Sequence, residues 1–173
     1  KINNIENNSL KFLNNFWASR YKKVSDKKIY KEFIKESKKN TFDYNNFVSD
    51  LLYDSILFNK IINPKKSDWN KNEFSIFISL HAISIFNVRV ANAMILSILR
   101  EYSKKNISLK YCEKALSSLE KFHFLNNAIC SLRSSGLDTM YSRISRELYD
   151  SKDNHERHNC IYKMIKDLET KKP

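Results

Sequence analysis

One glycine, Gly136, and two prolines, Pro64 and Pro173, serve a chain of 173 residues. Sheet folds lean on glycine wherever a tight turn, a bulge or a phosphate loop needs a positive φ. A single glycine leaves no room for a β-sandwich, a barrel or a Rossmann unit. Lys, Leu, Ile and Ser are abundant, which favours helices joined by short polar turns. We therefore expect an all-α fold. With 42% apolar and 13% aromatic residues, the chain has enough material for a packed core.

The periodicity predicts about seven or eight helices. The first runs roughly over 8–20 with Leu10, Leu13 and Trp17 on one stripe. The second starts near Ser25 or Asp26, either of which suits a cap, and carries Tyr30, Phe33 and Ile34. The third begins at Thr41 to Asp43 and reaches Ile62, where Pro64 stops it. Residues 63–70 are the clearest loop and the one candidate boundary in an otherwise single domain covering 1–173. From Phe74 to Leu99 the only charged side chain is Arg89, and Asn87 stands where a cap or kink would divide the stretch. Helices apolar nearly all round are normally enclosed, so this stretch is expected to be a buried central helix pair. A sixth helix starts near Ser108; it either continues through Phe124 to Ile129 or breaks near His123, and Ser134-Ser135-Gly136 ends it. Leu137, Met140, Tyr141, Ile144 and Leu148 mark the seventh, and Ile161, Met164, Ile165 and Leu168 the eighth.

The formal net charge is +12, and of the basic residues 24 are Lys and 7 Arg. A phosphate-bearing partner accounts for such an excess, as does the Lys, Asn and Ile bias of an AT-rich genome. Arg133, Arg143, Arg146, Lys152 and Arg157 lie on or beside the seventh helix and form the candidate contact set for a DNA backbone. A solvated face neutralised by Glu147 and Asp150 is the competing reading.

Reactive side chains are sparse. His155, His158 and Cys160 lie close in sequence but lack further ligands at a recognised spacing, so no metal is expected. Cys112 and His123 stand about three helical turns apart and do not make a nucleophile pair. Cys112 and Cys130 read as small buried hydrophobes, and His81 as a core histidine. Among Phe122, Phe124, Tyr141 and Tyr149, core packing is favoured over base stacking. We expect no cofactor and no catalytic site within these residues. Three widely spaced cysteines suit a reducing cytoplasm, and the longest uncharged run, Phe74 to Val88, is too short to span a bilayer. The missing initiator Met and the end at Lys171-Lys172-Pro173 lead us to expect a piece of a longer chain.

Several short segments carry a family likeness. Leu119-Glu120-Lys121-Phe122-His123-Phe124, Ser131-Leu132-Arg133-Ser134-Ser135-Gly136 and Tyr141-Ser142-Arg143-Ile144-Ser145-Arg146 resemble the helical region of GmrSD-type proteins, which act in modification-dependent restriction and phage defence. Phe16-Trp17-Ala18-Ser19-Arg20 and Ile29-Tyr30-Lys31-Glu32-Phe33 look like that region's opening helices. In such proteins a ParB-like nucleotide-dependent domain comes first and an HNH nuclease often closes the chain. Neither the Asp-Gly-Gln-Gln-Arg motif of the first nor the His-and-Asn cluster of the second occurs here. The resemblance thus implies the middle region of a bacterial DNA-targeting protein. It would be a non-catalytic scaffold between a nucleotidase and a nuclease, would touch DNA, and would be part of a parent protein that is itself a nuclease. The alternative is a protein-interaction or dimerisation module, forming a homo-oligomer without nucleic acid.

Overall fold

A computed structural model describes residues 2–130 and 136–171. Among them are eight α-helices and no strand: α1 Ile2–Ala18, α2 Ile29–Ser37, α3 Tyr44–Ile62, α4 Phe74–Ile85, α5 Asn92–Ser103, α6 Leu109–His123, α7 Leu137–Asp150 and α8 Asn154–Thr170. The all-α bundle expected from the glycine count is what forms.

Local signals set the helix ends. The Asp43 carboxylate accepts the Asn46 amide at 3.0 Å and starts α3, and Asp153 does the same for Glu156 at 2.8 Å at the head of α8. Asn70 and Glu73 form a reciprocal capping box just ahead of α4. Gly136, at φ 79°, supplies the left-handed residue ahead of α7. Asn87 is left-handed too, at φ 53°, and makes the reversal between α4 and α5. Asn is among the few non-glycine residues that reach this region readily. α6 does not break at His123. It widens into a π-helical turn over Phe124–Ile129, consistent with the continuing alternative.

α5 is the axis of the fold. It lies against α1, α3, α6 and α7, and nine consecutive residues from Ala93 to Glu101 are buried. α8 closes the far side against α6 and α7, presenting Ile161, Met164, Ile165 and Leu168. α4 packs on α6 through Ile76, Leu80 and Ile83.

The other side of α4 corrects part of the sequence reading. Phe74, Ile78, His81 and Ile85 follow one line of the helix at i, i+4, i+7 and i+11, opposite the buried line, and all four are exposed. Ile85 is 66% accessible. His81 is therefore not a core histidine; it stacks on Phe77 with ring centroids 5.5 Å apart. With apolar residues on both sides of α4, its periodicity carries no sign of which side faces the core. Cys130 is also exposed rather than buried, because it follows the π-turn at the rim of the bundle. Cys112 is buried as expected, and burial pushes its thiol well above the ordinary range. Phe122 and Tyr141 are core residues, whereas Phe124 and Tyr149 are partly exposed.

Candidate functional site

Two arrangements stand out, one buried and one open. The buried one sits where α1, α3 and α5 meet. Asp54, on the inner side of α3, and Arg100, near the end of α5, are both fully inaccessible. Arg100 donates from Nε to both Asp54 carboxylate oxygens at 3.0 and 3.1 Å, and from Nη2 to Oδ2 at 2.6 Å. Arg20, just past α1, adds Nη2 to Asp54 Oδ2 at 2.8 Å and Nη1 to Asp50 Oδ2 at 2.6 Å. Ser19 Oγ accepts a further bond from Arg100 Nη2 at 2.8 Å. The Tyr149 ring lies 4.8 Å from the guanidinium carbon of Arg20 and 5.6 Å from that of Arg100.

Burial pulls the Arg20 pKa down, but the charges of Asp54 and Asp50 and the bond to Asp54 outweigh it, and the net shift is upward. Neighbouring Tyr21 is pushed up to about 12, chiefly by burial and then by Tyr149. Asp54 Oδ2 accepts from three N–H groups and Oδ1 from one. The cluster is a clamp that ties α3 and α5 to the residues that follow α1.

The residues expected to follow a DNA backbone are placed differently from one another. Arg143 pairs with Glu147 at 2.7 Å and Asp167 at 3.7 Å. Arg146, one turn on, donates to Ser142 Oγ at 3.0 Å and has no acidic partner among the described residues. Arg157 turns inward: its Nε meets Glu101 at 2.8 Å, its Nη2 meets the Ser151 carbonyl at 2.9 Å, and its side chain is only 14% exposed. Lys152 is exposed in the turn between α7 and α8. Arg133 lies outside the described residues. α7 thus brings Arg143 and Arg146 together, while Arg157 bonds into the seam between α5 and α8.

His155 is exposed, and His158 stacks on Tyr111 with centroids 3.7 Å apart. Among the described residues no group of three or more His, Cys, Asp or Glu side chains is placed to hold a metal ion. Nor is any helix among them long and apolar enough to cross a membrane.

The open arrangement is a cleft of about 370 Å³ between α1, the ends of α3 and α4, and the α4–α5 junction. Phe58, Ile61, Ile83 and Val88 form its apolar wall. Lys11 and Arg89 stand on its rim, together with the amides of Asn8, Asn15, Asn87 and Asn92. Among the described residues no carboxylate lines it.

Neither arrangement was read from the sequence. A signal for the clamp exists: Asp54 sits three residues after Leu51 and three before Leu57, on the apolar stripe of α3, and a lone acid at such a position needs a buried partner. The cleft residues Asn8, Lys11 and Asn15 recur at i, i+3 and i+7 on α1, but polar residues at that spacing mark any solvated side.

Compared with known proteins, the chain matches no family model, no curated protein and no solved structure.

Proposed function

We propose that this chain is a non-catalytic helical scaffold in a DNA-targeting defence protein of the modification-dependent restriction kind, working in the cytoplasm between a nucleotide-using and a nuclease part. The observation that carries the reading is the clamp. α5 is enclosed over nine consecutive residues, and at its end Arg100, Asp54 and Arg20 bind α5, α3 and the end of α1 into one unit. Such a core suits an element that holds a fixed distance between its neighbours. The segments resembling the GmrSD-type helical region supply the defence setting, and Arg143, Arg146 and Lys152 supply a surface for DNA phosphates.

Hydrogen exchange tests the scaffold. Amides of α5 should exchange only through global unfolding, at the rate set by the stability of the whole domain. Exchange of α5 well ahead of α7 and α8 would remove the rigid spacer. Turnover of nucleotide or cleavage of duplex DNA by this chain in the presence of Mg²⁺ would remove the non-catalytic reading.

A second reading, a protein-interaction or dimerisation module, is favoured by the exposed apolar line of Phe74, Ile78 and Ile85 on α4. Light scattering separates the two. A dimer in the absence of DNA that Ile78→Glu abolishes would favour this second reading.

A further inference from the structure

Some of the positive side chains on this surface meet an acid. Lys22 and Lys35 pair with Glu32, Lys39 with Glu36, Lys23 with Asp138, and Arg143 and Lys163 with Glu147. Lys11 and Arg89 are distinguished by their position. They share the rim of one cleft and make no ion pair among the described residues. Two cations over a concave surface with no carboxylate among its described lining residues create a positive potential that solvent screens less than on a convex face.

The geometry also fixes one of the two. Arg89 Nε donates to Asn87 Oδ1 at 2.9 Å. That bond occupies the inner edge of the guanidinium and leaves its two Nη groups for another acceptor. Asn87 is itself held left-handed, at φ 53°, where the chain turns from α4 into α5. Asn92 opens α5 on the same rim, and the first turn of α5 has no acidic residue. The positive end of the α5 dipole adds to the two cations.

Below the cations the wall changes character. Phe58, Ile61, Ile83 and Val88 give an apolar surface that a bare inorganic anion cannot use. The volume, about 370 Å³, falls within the range of small-molecule pockets.

We propose that this cleft binds a phosphate group carried on a small organic body, with Arg89 and Lys11 on the phosphate and the body against Phe58 and Ile83. The inference is independent of the scaffold reading and stands whether or not the flanking parts of a defence protein exist.

Titration calorimetry on this chain, supported by amide shifts at residues 87–92, tests it with three probes: inorganic phosphate, phenyl phosphate and a short DNA duplex. Inorganic phosphate should bind saturably, with Kd on the order of 1 mM. Phenyl phosphate should bind about tenfold tighter, because its ring covers the apolar wall. Arg89→Gln and Lys11→Gln should each weaken both ligands about tenfold, whereas Lys31→Gln, on α2, should not. Unchanged thermal midpoints for the rim variants would show that they remain folded.

Absence of saturable phosphate binding overturns the proposal, and so does binding that survives both rim substitutions. Phenol binding as tightly as phenyl phosphate also overturns it, since the cleft would then be merely apolar. Duplex DNA bound through Arg89 and Lys11, with no binding of phenyl phosphate, would assign the cations to a polymer backbone and remove the small-molecule site.

Discussion

Arg100 and Asp54 face each other across the α3–α5 contact with neither side chain reaching solvent, and three N–H···O contacts of 2.6 to 3.1 Å join them. A charge held this way is inexpensive only while its partner remains. Asp54→Asn would leave Arg20 and Arg100 side by side with only the partly exposed Asp50 to balance them. Breaking a buried pair from one side costs about 3–5 kcal/mol. Against a total of roughly 5–15 kcal/mol for a domain, this substitution should lower the urea midpoint by about a fifth or more. Equal stability of Asp54→Asn and the parent would show that the clamp is not holding the three helices.

Tyr149 supplies the other half of the same site. Its ring covers both guanidinium groups while part of its own surface stays in water. Tyr149→Leu keeps apolar cover but removes the ring's negative π-face. We expect a loss of about 1 kcal/mol, within the range for cations over aromatic rings. In a double-mutant cycle with Arg100→Met the two losses should not add, because the residues share one contact. Full additivity would mean that the ring packs without sensing the charge.

Ile83 and Ile78 lie five residues apart on different sides of α4, 3% and 48% accessible. Ile83→Lys places an unpaired ammonium at a buried position of the core that forms the apolar wall of the cleft. The effective penalty is several kcal/mol, enough to unfold the domain. Ile78→Lys should change stability by no more than about 0.5 kcal/mol. Circular dichroism of the two variants at 25 °C checks the pair.

These two residues also show how far the sequence can be read. In α7 and α8, polar residues occupy one side, so Met140, Ile144, Ile161 and Met164 could be assigned to the core from spacing alone. α4 has no such contrast. Its mean hydropathy identifies an inner element, but only the packing against α6 decides that Ile76 and Leu80 face in while Ile78 and Ile85 face out. The clamp was hidden for a related reason. Arg20, Asp54 and Arg100 are far apart in the chain; the position of Asp54 on the apolar stripe of α3 signals a buried partner, but nothing in the sequence says which cations those are. Their pairing is a tertiary fact, as is the meeting of α1 with the α4–α5 junction that creates the cleft.

If α7 faces a DNA backbone, Arg146 is the residue to change first, because Arg143 is already engaged by Glu147 and Asp167. The proposal expects duplex binding at low salt that weakens steeply as salt is raised. Arg146→Gln should reduce the slope of log affinity against log salt by about one. Arg157→Gln should instead lower stability, since its partner Glu101 is 5% exposed. Fluorescence anisotropy at two salt concentrations separates these outcomes. An unchanged slope for Arg146→Gln would exclude that side of α7 from contact.

Alkaline pH tests the core from another direction. Burial raises the Cys112 thiol and the Tyr141 phenol, and burial together with Glu73 raises Tyr102. Each of these groups is neutral when protonated, and in the folded chain it holds its proton to a higher pH than in the unfolded chain. The stabilisation is thus complete below the ordinary values of 9.0 for the thiol and 10.0 for the phenols. Above them the unfolded chain releases protons that the folded chain keeps, so the unfolded state binds fewer protons and stability falls as pH rises. Thermal midpoints should decline from about pH 9 and more steeply past pH 10. Cys112→Ala should make the early part of the decline shallower, leaving the smaller contribution of the half-buried Cys160 thiol and the phenols, while costing some stability at neutral pH through lost packing. A midpoint that stays level between pH 9 and 11 would show that these groups are solvated in the folded protein and would contradict the closed core around α5.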